Sequence, residues 1–341
     1  MQNYNFFTYY EINCKNFPTF VYSFAFILMK KTLFVALSAL SAACIYGADP
    51  QHGSGETGSY RLVWQDLFDG PSLDTLSWNI EVTPRPANQE LQYYTDRPCN
   101  VSIGDDGRGN SCLILTAIRE EYKGRHFTSG RVNTREKVNF KYGKIEASVL
   151  MPPTANGLWP AFWMMGDDIA NVGWPRCGEI DIFEMGHHEG IATGTQSSYM
   201  NGAAHWGYYI GKEYPTTATF SNAPYSVHDG EYHLFTCIWT PEKVSMYLDL
   251  DKYPDAKPYY ELAIDHAGTP EDRSADLYFR KPFHILFNLA TGGHFPGITD
   301  HEKITALNSD NDNRANYYIN YVKVYQREAD GGSFHSPERT Q

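Results

Sequence analysis

The chain has no Lys/Arg cluster larger than a pair, and its formal net charge at pH 7 is -12. Phosphate backbones are bound through a concentrated basic footprint, so nucleic acid is excluded as a partner. Of its six cysteines, Cys14 and Cys44 fall in an N-terminal segment and four fall in the body, with no C-x-x-C and no Cys/His spacing that would hold zinc. Cys99 and Cys112 flank the turn-rich "VSIGDDGRGNS", where a hairpin-closing disulfide is one reading and free thiols the other. Cys177 and Cys237 read as small buried hydrophobes. No long window shows the 3.6-residue period of an amphipathic helix, and no internal repeat is present. The longest apolar stretch, in "MKKTLFVALSALSAAC" at residues 29–44, is too short to cross a membrane and follows two lysines, the pattern of an export signal.

These exclusions leave an exported all-β protein. Residues 1–28 are expected to be an upstream extension from a misassigned start, residues 29–43 a signal peptide, and 44–59 a Gly/Ser-rich tether. "LSAAC" is similar to a bacterial lipobox, which would lipidate Cys44, attach the chain to a membrane and make it an outer-membrane or cell-surface lipoprotein. A plain cut near Gly47 or Ala48 would leave it periplasmic or secreted. From residue 60 to 327 the pattern is period two, as in "KYGKIEASVLMP" and "YYINYVKVY", broken by Gly, Pro, Asn and Asp. Many short strands with turn signals indicate one sandwich or barrel domain. The polar tail, 328–341, is expected to be disordered. With 25 Tyr, 19 Phe and 7 Trp the core is amply supplied, and the acidic surface suits a neutral, hydroxyl-rich polymer.

The informative stretch is "CGEIDIFEMGHH", residues 177–188. Glu179 and Asp181 share a strand face under period-two alternation, but Glu184 has the opposite parity. One extra residue between Asp181 and Glu184, a β-bulge, would return it to their face; a solvent-facing strand end is the alternative. Upstream, "NGLWPAFWMMG" puts Trp159 and Trp163 on one strand face, with Trp174 following. Indoles stack on sugar rings, although each could equally fill the core. Two carboxyl groups about 5–5.5 Å apart across a glycosidic bond define a retaining glycosidase, and crowded acids raise one another's pKa. The adjacent histidines of "GHHEG" suit a loop or cleft-edge role better than a metal.

"GEIDIFE" after "GLWPAFWMMG", together with "LVWQDLFDG", "NQELQYYT", "SGRVNTREKVNFKYGKIEASVLMP", "FNLATGGHFPG" and "YVKVYQ", resembles glycoside hydrolase family 16 over nearly the whole body. The resemblance implies a jelly-roll β-sandwich with an open concave cleft and endo-acting cleavage with retention. It implies Glu179 as nucleophile, Asp181 as its assistant and Glu184 as acid/base. Asn88, Glu90, Arg131, Trp159, Trp163 and Trp174 would line the glycone side, with Asn288 as a further contact; Glu90 and Arg131 could instead form a structural ion pair. The expected substrate is mixed-linkage β-1,3-1,4-glucan or β-1,3-glucan. A galactan hydrolase and a non-catalytic glucan-binding protein are the alternatives, and transglycosylation would use the same acids. Gln196 stands where a histidine is usual, and "GGHFPG" replaces "GGNWPG". No cofactor is required. A structural calcium ion is disfavoured by Asn320 in place of the family's Asp. A monomer is expected.

Overall fold

The computed structural model describes residues 58–209, 213–266 and 273–337. The upstream extension, the signal peptide, Cys44 and nearly all of the tether lie outside the described residues. Two antiparallel-dominated sheets face each other across one apolar core. The first runs Tyr260–Ala263, Lys243–Leu248, His233–Trp239, Gly143–Leu150, Arg314–Gln326, Ser111–Tyr122, Arg125–Ser129, Gln92–Tyr94, with Arg61–Asp66 and Val101–Asp105 added at its flank. The second runs Thr216–Asn222, Tyr199–His205, Glu179–Met185, Leu158–Gly166, Phe283–Thr291, Arg131–Asn133, Asn79–Ile80, with Asn139–Lys141 also paired to Phe283–Thr291. This is the expected jelly-roll β-sandwich.

Period-two alternation decides what the second sheet shows to each side. In Leu158–Gly166, Leu158, Phe162 and Met164 enter the core between the sheets. Ala161, Trp163 and Met165 stand on the other face, where they pack with Leu286, Cys177 and Trp174. Facing the core, Phe162 stacks on its register partner Phe287 at 4.6 Å within the second sheet, and Phe183 stacks on Phe235 of the first sheet at 4.0 Å, an aromatic contact that ties the two sheets together.

One open alternative is decided and one expectation is corrected. No disulfide joins Cys99 to Cys112: the Cys112 thiol lies 3.0 Å from the Tyr232 hydroxyl, and the hairpin is held by its ladder. The tail is ordered through residue 337, because Ser333–His335 pairs with Asn139–Lys141 and Gln326 donates to the Ser333 carbonyl at 2.9 Å.

Candidate active site

The bulge required by the acid spacing is present. Along Tyr199–His205 the register runs Glu179↔His205, Ile180↔Ala204, Asp181↔Ala203, then shifts before Glu184↔Asn201. Along Leu158–Gly166 it passes from Asp181↔Trp163 to Phe183↔Phe162, leaving Ile182 unmatched. Ile182 and Phe183 therefore both enter the core, each fully buried, and Glu184 returns to the face of Glu179 and Asp181. Opposed residues of neighbouring strands point the same way, so one transverse row carries Arg131, Asn288, Ala161, Glu184, Asn201 and Phe220.

Each glutamate is held by an indole. Trp159 Nε1 donates to Glu184 Oε1 at 2.8 Å, and Asn201 Nδ2 donates to Glu184 Oε2 at 3.1 Å. Trp174 Nε1 donates to Glu179 Oε2 at 2.9 Å. His205 Nε2 lies 3.3 Å from Asp181 Oδ2 and 3.9 Å from Glu179 Oε1, while its Nδ1 meets Thr216 Oγ1 at 2.7 Å. The Gln196 departure thus loses its force: the histidine beside the acids is His205, opposite Glu179 on the neighbouring strand. Glu179, Asp181 and His205 put three donor atoms within 4.8 Å of one another, the one group among the described residues with metal-ligand spacing.

The glycone-side candidates cluster as a network. Trp163 Nε1 donates to Asn288 Oδ1 at 2.7 Å, and the Arg131 guanidinium lies 4.8 Å over the Trp163 ring. Arg131 pairs with Glu81, Nε to Oε2 at 3.1 Å, which replaces the ion pair with Glu90. Glu90 is buried and accepts from Gln92 Nε2 at 2.6 Å and Tyr94 OH at 3.1 Å. Asn88 is exposed, and its carbonyl accepts from His294 N at 2.8 Å, fixing the "GGHFPG" loop. That loop lays Phe295 parallel to Trp159 at 4.7 Å. His187 caps the short helix His188–Thr193 and packs on Phe220 at 4.4 Å, so the histidine pair sits at the cleft edge. Trp159 and Trp163 are only 8% and 9% exposed: both tryptophan readings meet here, since the rings line the cleft while largely buried by one another's neighbours. A separate cavity of about 530 Å³, lined by Asn79, Glu81 and Asn133, lies toward the edge strands and contains none of the three acids.

Burial, then the Asp181 charge, pushes the Glu179 carboxyl up to about 8. Burial raises Glu184 against the Asn201 and Trp159 donors and His205, and raises Asp181, which Glu184 raises further. The three crowded carboxyls hold protons as a group, and the proposed chemistry needs one on Glu184 with Glu179 ionised. A carboxyl raised in the folded state stabilises fully below its unfolded value, near 4.5, and that contribution drains away as pH rises to about 8. Glu179→Gln has no proton to lose. Because 16% of the Glu179 side chain stays exposed, a discounted gain applies. The Tm of the variant should exceed wild type by on the order of 5 °C at pH 9 and match it near pH 4. Equal differences at both pH values would show that Glu179 ionises as a free carboxyl does.

Paired carboxylates in an aromatic groove on a jelly-roll sandwich define a glycoside hydrolase. The sequence model for glycosyl hydrolases family 16 matches residues 88–270, and the chain belongs to that family. A beta-glucanase of Rhodothermus marinus is 31% identical over 88% of this chain and 95% of its own length. A glucan endo-1,3-beta-glucosidase A1 of Niallia circulans is 28% identical, and this chain spans 38% of that longer protein. Among solved structures, a family 16 protein of the Bacteroides ovatus mixed linkage glucan PUL, in complex with a G4G4G3G product, is 39% identical. It superposes with a TM-score of 0.66 over 77% of this chain and 100% of its own.

Proposed function

We propose that the protein is an endo-acting, retaining β-glucanase that cleaves mixed-linkage β-1,3-1,4-glucan ahead of laminarin by double displacement. The bulged strand carries this reading: it brings Glu179, Asp181 and Glu184 to one face and gives each glutamate an indole N–H. Glu179 attacks the anomeric carbon; Asp181 and Trp174 hold it; Glu184 protonates the leaving oxygen and then deprotonates water. Trp159, Trp163, Trp174, Asn88, Glu90, Arg131 and Asn288 bind the sugar chain directly or through one another. The likeness to the Bacteroides ovatus protein, solved with a G4G4G3G product, supports mixed-linkage glucan as first substrate.

The deciding experiment is a product profile of residues 60–337 on barley β-glucan, lichenan, laminarin, agarose and carboxymethylcellulose. Early release of short mixed-linkage oligosaccharides, with the β-anomer formed first, supports the reading. Release from agarose alone would transfer it to a galactan, and no release from any polymer would leave a binding protein.

No metal or cofactor is proposed. Where calcium was disfavoured, the Asn320 amide donates to the Ser111 carbonyl at 3.1 Å, and Ser111 Oγ donates to the Phe68 carbonyl at 2.6 Å, so the oxygens already have donors. EDTA should leave Tm unchanged within about 1 °C; a larger fall restored by calcium would refute this. We also propose export, with a lipid on Cys44 as anchor or, failing that, a free periplasmic or secreted monomer.

A further inference from the structure

A bulge that re-aims a side chain also strands backbone groups. Ile182 has no counterpart on Leu158–Gly166, and with Phe183 it faces the single residue Gly202 on Tyr199–His205. Its carbonyl therefore sits in the apolar core beside a broken ladder, where an unpaired acceptor is costly. The partner comes from the residue that leads into the other sheet's Tyr260–Ala263 strand: the Tyr259 hydroxyl donates to the Ile182 carbonyl. Tyr259 is anchored by its own N–H to the Met246 carbonyl at 2.9 Å and packs against the core.

Gly202 explains how Tyr259 reaches across. A Cβ there would lie 2.6 Å from Met246 Sδ and 2.8 Å from Tyr260 Cβ. Only a residue without a side chain lets the segment bearing Tyr259 and Tyr260 come this close to the bulge. Burial raises the Tyr259 hydroxyl well above its ordinary value, so it stays a donor at any working pH. On the cleft side, Glu184 is two residues from this carbonyl, with Asn201 and Trp159 setting where its oxygens fall. The bulge is thus pinned from both faces of the sheet, and the pin inside the core is one hydroxyl.

We propose that Tyr259 is a positioning residue: by fixing the Ile182 carbonyl it sets the bulge that aims Glu184 at the leaving oxygen. This rests on the reading of Glu184 as acid/base. Loss of the hydroxyl should show in proton delivery to the leaving group and leave sugar binding alone.

The test is Tyr259→Phe in the full chain, with kcat/KM measured on lichenan and on a 2,4-dinitrophenyl β-laminaribioside. Dinitrophenolate departs without protonation, so it bypasses the acid. The ratio of the two kcat/KM values should fall on the order of 10- to 100-fold, with KM for lichenan unchanged within about twofold. The alkaline limb of the lichenan pH profile should move as well. Equal loss on both substrates, or no loss on either, would overturn the proposal. If Tyr259→Phe does not fold, Gly202→Ala, which pushes Tyr260 and Met246 off the bulge, is read by the same ratio and judged by the same outcomes. Glu184→Gln run beside them separates the two layers: a variant that still cleaves lichenan at the wild-type rate disproves the role of Glu184 itself.

Discussion

Glu179→Ala should fold like the wild type and lose on the order of four to six orders of magnitude in kcat on β-glucan. The carboxylate supplies the bond to the anomeric carbon, and neither neighbour replaces it, since Asp181 is drawn to His205 and Glu184 is held by Trp159 and Asn201. Truncation also opens space above Trp174, whose indole N–H held the missing oxygen. Azide entering there attacks from the face the carboxylate used. With a dinitrophenyl β-glycoside it should give the α-glycosyl azide, a single inversion, identifiable by its NMR coupling. Retained wild-type rate, or a β-azide, would remove Glu179 from the nucleophile's role.

Glu184→Ala should give the complementary result. Cleavage of lichenan needs the acid, and kcat/KM there should fall on the order of a thousand-fold. On the dinitrophenyl glycoside the first step needs no proton, so kcat/KM should stay within about tenfold of wild type. The second step lacks its base, and the glycosyl-enzyme should accumulate. Azide needs no deprotonation, so it should speed turnover and give the β-glycosyl azide through two inversions. The two variants thus yield opposite anomers from one nucleophile and one substrate. If both gave the same anomer, the division of labour between Glu179 and Glu184 would be wrong.

The fold class was legible because alternation is local: "KIEASVLM" and "LWPAFWMMG" show their faces without reference to a partner strand. The bulge was legible for a related reason. Parity is counted along one strand, and Glu184 has the wrong parity unless a residue is added. What escaped were the contacts made between strands. His205 lies 26 positions beyond Glu179, and only the pairing register brings it opposite. Met200, Gly202, Ala204 and Trp206 alternate with Asn201, Ala203 and His205, so the pattern of that strand held the signal, but Gln196 drew attention to the wrong position. Glu81 was overlooked as the partner of Arg131, since Glu90 stands in the more conspicuous motif. Tyr259 had no signal at all, because its target is a backbone carbonyl in the opposite sheet.

The transverse row from Arg131 to Phe220 has a consequence for how such a groove changes. Strands lie about 4.8 Å apart, close to the length of one pyranose unit, so a polymer laid along this row meets a different strand at nearly every sugar. Each strand then acts as a separately editable tooth of a comb. The outermost one, Thr216–Asn222, is largely exposed and carries Phe220 on a run of small polar residues. Exchanging that strand alone would retune one end of the groove while the carboxylates, their indoles and the bulge stayed in place.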